Sequence, residues 1–121
     1  MKILAVEDEP EYLEMLKEFL AAFGHTLRVA ENGSEALKVV DNENVDLVIS
    51  DVNMPVMDGV EFHERFREKP GYSETPFVFL TGSGDVSEVK AVCRKKQDTL
   101  LLKPFPLDQL LKMFSSYAVH A

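Results

Sequence analysis

The stretch Val45-Asp46-Leu47-Val48-Ile49-Ser50-Asp51-Val52-Asn53-Met54-Pro55-Val56-Met57-Asp58-Gly59 decides how this chain folds. It opens on a short, mostly apolar run, the pattern of a strand covered on both faces, and runs straight into the carboxylate of Asp51. Pro55 and Gly59 then interrupt regular structure, and Phe62 and Phe66 fall on one face of a following helix. Strand, loop and helix in that order make one repeat of a crossover unit.

The same unit recurs on both sides. Lys2-Ile3-Leu4-Ala5-Val6 is an apolar run that stops at Glu7-Asp8-Glu9. Pro10 suits a first helical turn, Leu13, Leu16, Leu20 and Phe23 recur at helical spacing over 11–23, and Gly24 fits the position after the helix. Residues 25–30 predict a second strand, and Asn32-Gly33-Ser34 a turn and cap before a helix to about Val40. The fourth strand is expected over 76–80, ending at Thr81-Gly82-Ser83-Gly84, with a helix over 85–96 carrying Val86, Val89 and Cys93. The fifth strand is expected over 99–102, ending at Lys103-Pro104, before a last helix with Leu107, Leu110, Leu111 and Phe114 on one side. Parallel strands need crossover connections, and those are right-handed. The expected fold is therefore α/β: a doubly wound five-stranded parallel sheet of order 2-1-3-4-5, flavodoxin-like, with five helices.

Bulk properties narrow the function. The 121 residues suit a single domain over 1–121, and a formal net charge of −8 argues against direct binding of nucleic acid or an anionic membrane surface. The lone Cys93 cannot close an internal disulfide, which points to a reducing compartment. The opening MKILAVEDEP reaches acidic residues too soon for a signal peptide, and no apolar run approaches the roughly 20 residues of a membrane span. The expectation is a soluble, cytoplasmic domain.

The strand ends carry the chemistry. The first strand delivers Glu7 and Asp8, the third Asp51, the fourth Thr81 and the fifth Lys103, and a doubly wound sheet gathers these ends along one edge. Crowded carboxylates repel, and a hard divalent cation relieves them, so Mg²⁺ is the expected cofactor. Asp8 and Asp51 are the expected direct ligands, with the backbone carbonyl of Asn53 and with Glu7, either directly or through water. An aspartate beside Mg²⁺ is a competent nucleophile toward phosphorus, with Lys103 and the Thr81 hydroxyl left to hold phosphoryl oxygens. Taken singly, each residue has an ordinary reading: Glu7, Asp8 and Glu9 as helix-capping acids, Asp51 as a loop residue, Thr81 and Lys103 as unremarkable strand-end side chains. Their joint placement favours the site. His25, His63 and His120 are expected to be ordinary partly buried or surface histidines, Cys93 a small helix-face hydrophobe, and the basic run 94–96 a solvated helix end.

At these residues the chain resembles the receiver domains of two-component response regulators over essentially its full length. Val6-Glu7-Asp8-Glu9 is similar to the acidic pair after the first strand, and 51–59 matches D-x-x-M-P-x-M-D-G at every fixed position. Leu80-Thr81-Gly82 resembles the switch-threonine motif and Lys103-Pro104-Phe105 the lysine motif, whose Lys–Pro bond is usually cis in that family. The resemblance implies a switch rather than an enzyme. A histidine kinase or histidine phosphotransfer protein would donate a phosphoryl group to Asp51 with Mg²⁺ present. Thr81 would then move toward that group and reshape the face of the fourth helix, fifth strand and fifth helix for a downstream target protein, with room for a dimer formed on phosphorylation. The resemblance places the residues that tune phosphoryl lifetime at Asn53 and Ser83. Two departures stand out. Leu100 occupies the position where family members carry Tyr or Phe, and a branched aliphatic has no ring to swing. Lys96-Gln97 replaces the usual Gly-Ala before the last strand.

Three other readings use the same fold or chemistry. A flavodoxin-like electron carrier needs a hydroxyl- and amide-rich loop after the first strand, where this chain offers Glu7-Asp8-Glu9, and the chain has no tryptophan to stack on a flavin. A phosphatase of the haloacid-dehalogenase type needs a second Asp where Asn53 stands, and an amide cannot protonate a leaving group. A receiver-like interaction module that is never phosphorylated is left open by Leu100 but gives no reason to keep the acidic and basic site residues.

Overall fold

The computed structural model describes residues 1–82, 86–93, 97–103, 108–110 and 112–113. The expectations for Ser83, the basic run 94–96, the Lys103–Pro104 bond, Leu107, Leu111, Phe114 and His120 lie outside them. In chain order the elements are β1 (Lys2–Val6), α1 (Pro10–Ala22), β2 (Thr26–Ala30), α2 (Gly33–Asn42), β3 (Leu47–Asp51), α3 (Gly59–Glu68), β4 (Phe77–Thr81), α4 (Val86–Val92) and β5 (Asp98–Leu102). Residues 108–110 and 112–113 are helical and belong to a fifth helix. The strands form one sheet in the order β2-β1-β3-β4-β5, with every pair parallel.

Alternation along the strands explains why helices lie on both faces. Ile3 and Ala5 of β1, Leu47 and Ile49 of β3, Val78 and Leu80 of β4 and Leu101 of β5 join Leu16 and Leu20 of α1 and Leu110 of the fifth helix in one core. Leu4, Val6, Val48, Phe77 and Phe79 point the other way, against Ala36 and Val40 of α2, Phe62 and Phe66 of α3 and Val89 of α4. Each large side chain fully buried in this way contributes about 1.5–3 kcal/mol of transfer free energy. A one-residue slip of any central strand would exchange its two faces.

Local signals set the helix ends. α1 closes in a Schellman turn: His25 N–H donates to Leu20 O, Gly24 N–H to Ala21 O, and Gly24 takes φ +81°, a conformation that a Cβ disfavours. Because the chain leaves helical geometry there, Phe23 is 53% exposed and packs on Phe19 rather than in the core, contrary to its place in the helical repeat. Asn32 and Asp58 cap α2 and α3 by accepting from the N–H groups of Glu35 and Glu61. β3 starts at Leu47 rather than Val45, because the Val45 N–H donates to the Tyr72 hydroxyl rather than to a neighbouring strand. The helix expected over 85–96 is observed over Val86–Val92.

Candidate functional site: an acidic cluster at the carboxyl ends of the strands

Parallel strands all end along one edge, and the described part of that edge holds Glu7, Asp8, Asp51, Thr81 and Lys103. Glu7 comes directly after β1. Its N–H donates to Ala30 O at the end of β2, which fixes the backbone, and its side chain is fully buried. Asp51 is the last residue of β3 and is 7% exposed; Thr81, the last of β4, is 1% exposed. Lys103, just past β5, is tied down by its N–H donating to Thr81 O at 2.8 Å.

The loop after Asp51 is pinned by close backbone approach. The Gly59 N–H donates to Val52 O at 2.8 Å, and a Cβ on Gly59 would lie 2.2 Å from the Asp51 carbonyl oxygen. Only glycine lets α3 begin against the backbone of Asp51. Within the loop, Met57 N–H donates to Pro55 O at 2.7 Å around Val56, whose φ is +69°.

Glu7, Asp8, Glu9 and Asp51 each place a carboxylate oxygen within 4.8 Å of the others. The ammonium of Lys103 faces them from the far side, 2.9 Å from Glu7 Oε2, 3.4 Å from Asp51 Oδ2 and 3.9 Å from Glu9 Oε1. Asp51 Oδ1 accepts from the Val52 N–H at 2.8 Å, so its two oxygens face different partners. The Thr81 hydroxyl donates to Gly82 O at 2.9 Å. Burial above all pushes Glu7 up to about 7; the Asp51 charge adds to the rise, and the hydrogen bond from Lys103 offsets part of it. Burial alone would lower Lys103, but its hydrogen bond to Glu7 and the charges of Asp51 and Glu7 outweigh that, and it is held above its ordinary value.

Sequence reasoning brought Glu7, Asp8, Asp51, Thr81 and Lys103 to this edge. Asn53 is exposed in the loop after Asp51. Two participants went unread. Glu9 looked like a helix cap, yet as the N-cap of α1 it makes no side-chain cap bond and instead completes the carboxylate group. Tyr12 lies one helical turn further on, with Lys103 Nζ 4.4 Å from its ring centroid. The place of Tyr12 on the first turn of α1, three residues after the N-cap Glu9, was the available signal.

A second buried charge group lies at the opposite edge, where β5 begins. Asp98 Oδ1 accepts from Arg67 and faces His63 Nε2 at 2.9 Å, and Arg67 also donates to Tyr72 O at 2.8 Å. His63 is 7% exposed and its ring packs edge-on against Phe77 at 4.8 Å. It is buried, more deeply than the partly buried or surface histidine expected, and it has an acidic partner 35 residues away. Cys93 is half-buried against the α3-side core; burial, with the charge of Asp98 nearby, raises its thiol above the usual value. Leu100 pairs with Phe79 across the sheet and packs into the same core.

Comparison with known families matches residues 3–115 to the response regulator receiver domain. The chain is 35% identical to the sensor histidine kinase RcsC of Salmonella typhi over 118 residues, 98% of this chain and 12% of that protein. It is 37% identical to the transcriptional regulatory protein GlrR of Escherichia coli over 109 residues, 89% of this chain and 24% of that one. The chain thus spans a quarter or less of the length of these two relatives. Its fold is similar to the chemotaxis response regulator CheY4 of Vibrio cholerae, with a TM-score of 0.83 and 36% identity over 96% of this chain and 97% of that one. Among the described residues, no helix is long and apolar enough to cross a membrane. Receiver domains of this kind are signalling domains of response regulators and hybrid histidine kinases, they generally bind Mg²⁺ at an acidic pocket, and they interact with histidine kinases and effector domains. The chain belongs to the response regulator receiver domain family.

Proposed function

We propose that residues 1–121 work as one cytoplasmic phosphoacceptor switch, with Asp51 as the acceptor. A carboxylate oxygen of Asp51 bonds to phosphorus as the P–N bond of a phosphohistidine breaks, on a histidine kinase or a histidine phosphotransfer protein. The electron pair of that bond leaves with the imidazole, which takes a proton from solvent. The observation that carries this reading is the Lys103 ammonium 3.4 Å from Asp51 Oδ2 inside a group of four carboxylates. That geometry sets a nucleophile and a fixed positive charge side by side, as phosphoryl transfer demands.

The donor set fits a hard divalent cation. Among the described residues four carboxylates face one ammonium, and Glu7 is raised to about 7 chiefly by burial, with the Asp51 charge adding to the rise. Glu7, Asp8, Asp51 and the Asn53 carbonyl are the proposed Mg²⁺ holders, with Glu9 near enough to help through water. Bound there, Mg²⁺ supplies charge neutralisation for the phosphoryl oxygens. Lys103 holds a further oxygen, and the Thr81 hydroxyl gives up Gly82 O to donate to the phosphoryl group. That exchange would carry the change toward β5 and a protein-interaction face, where Leu102 is 50% exposed. A downstream protein or a second copy of the domain would read it.

Intact mass after incubation with acetyl phosphate and Mg²⁺ tests the reading. The wild type should gain one phosphoryl group, and Asp51→Asn or added chelator should abolish the gain. A wild type that stays unmodified would leave the receiver-like module that acts without phosphorylation, for which the packing of Leu100 against the core is the supporting observation.

A further inference from the structure

We propose that Tyr12 is a positioning residue whose ring holds the Lys103 ammonium facing Asp51; this rests on the phosphoacceptor reading. Pro10 fixes the start of α1, and helical side chains lean back toward the N-terminus, so a ring at position 12 is directed at the strand-end cluster. The Lys103 Nζ sits 4.4 Å from the centre of that ring, inside the roughly 6 Å reach of a cation–π contact. The lysine side chain is only 14% exposed, so little water competes for the ammonium.

The reason a ring is useful there lies in the other duties of the lysine's remaining partners. The shortest contact of Lys103 is Glu7 Oε2 at 2.9 Å, followed by Asp51 Oδ2 at 3.4 Å and Glu9 Oε1 at 3.9 Å. All three are carboxylates that belong to the group able to hold a cation, and Asp51 is also the group to be modified. Once these oxygens turn to a cation or carry phosphorus, their pull on the lysine weakens. Lys103 ends a flexible four-carbon stem that would otherwise be released to many rotamers. The Tyr12 ring, by contrast, is a partner that no cation draws off. It keeps the charge aimed at the acceptor through both changes.

Two substitutions and two readouts test this. Tyr12→Phe keeps the ring and should label with acetyl phosphate within about twofold of the wild type, whereas Tyr12→Leu should label roughly three- to thirty-fold more slowly. Mg²⁺ affinity and the thermal midpoint should be unchanged in both, which separates positioning from folding. The second readout needs no labelling: the Lys103 Hε protons should be shifted upfield by the ring in the wild type and Tyr12→Phe, with and without Mg²⁺, and should lose that shift in Tyr12→Leu. Equal labelling rates for Tyr12→Leu and wild type would overturn the proposal, as would slowing by Tyr12→Phe equal to that by Tyr12→Leu. Loss of the ring shift on adding Mg²⁺ would overturn it too. If the wild type takes no phosphoryl group, the phosphoacceptor reading fails on its own, and the shift still decides whether the ring holds the lysine.

Discussion

The two edges of the sheet bury charge in opposite ways. At the amino edge one carboxylate, Asp98, is met by Arg67 and His63, and its side chain is 2% exposed. At the carboxyl edge Glu7 and Asp51 are buried with Asp8 and Glu9 beside them, and among the described residues Lys103 is the cation that faces them. The pKa directions differ as well, because burial is outweighed by cationic partners at Asp98 and is not outweighed at Glu7. Burial by itself would raise Asp98, but the hydrogen bonds and charges of His63 and Arg67 outweigh it and hold the acid below 3.8; Glu7 is left high, at about 7. A charge group that is balanced serves the fold. One left with surplus negative charge is set up to receive something positive.

The largest test breaks the balanced edge. Asp98→Asn leaves the Arg67 guanidinium, 11% exposed, without its counter-charge, and Arg67 Nε already lacks a hydrogen-bond partner among the described residues. Removing one partner of a buried pair costs about 3 kcal/mol, to be read as a fall in urea stability at pH 7. Linkage sets the sign with pH. Asp98 is depressed on folding, so its contribution is present above 3.8 and fades as pH falls through its lower folded value. The gap between wild type and variant should therefore close in acid. A gap that widens there would mean that Asp98 is not the stabilising anion.

The unbalanced edge predicts the reverse response. Mg²⁺ at about 100 times its dissociation constant should stabilise the wild type by about 2.7 kcal/mol. Asp98→Asn should keep that increment, and Asp51→Asn should lose most of it. Without divalent cations, Asp51→Asn should be more stable than wild type by about 1 kcal/mol, because it removes repulsion from the crowded group. Thermal scans in chelator check the sign. Destabilisation by Asp51→Asn would show that its contact with Lys103 outweighs the repulsion, and the contrast between the edges would collapse.

Backbone periodicity made the fold legible. The strands and helices were legible from local spacing, in continuous apolar runs such as 2–6 and 47–50 set between helical patterns. The order 2-1-3-4-5 followed from right-handed crossovers and the common doubly wound arrangement. The acidic site was legible for a different reason: Glu7, Asp8, Asp51, Thr81 and Lys103 each end a strand or follow one within two residues, so topology brings them together. Glu9 and Tyr12 were not, since a residue in a helix's first turn reads as cap or surface until the partner across the gap is known. The Asp98–Arg67–His63 group was invisible for a stronger reason. Its pairing spans 31–35 residues between the last turns of α3 and the start of β5, and no local pattern encodes such a contact.

The smallest effect asks whether the carboxyl edge also holds cost in its backbone. Val56 has φ +69° and is 84% exposed, so no buried contact of its own repays a conformation that a β-branched residue rarely adopts. The turn is held instead by its neighbours: Met57 N–H donates to Pro55 O, and Met57 O accepts from the Gly33 N–H at the start of α2. Strain of this kind is about 1–3 kcal/mol, while glycine would add roughly 0.5–1 kcal/mol of unfolded-state entropy. Val56→Gly should therefore stabilise the fold by about 1 kcal/mol, a rise of about 4 °C in thermal midpoint. The same substitution frees the loop that carries Asn53, so Mg²⁺ affinity should fall slightly as stability rises. Opposite movement of the two quantities would place this strain with the surplus charge, as a cost carried by the edge that binds. A lower midpoint would instead assign Val56 to holding the loop, and the cost of the carboxyl edge would then be electrostatic alone.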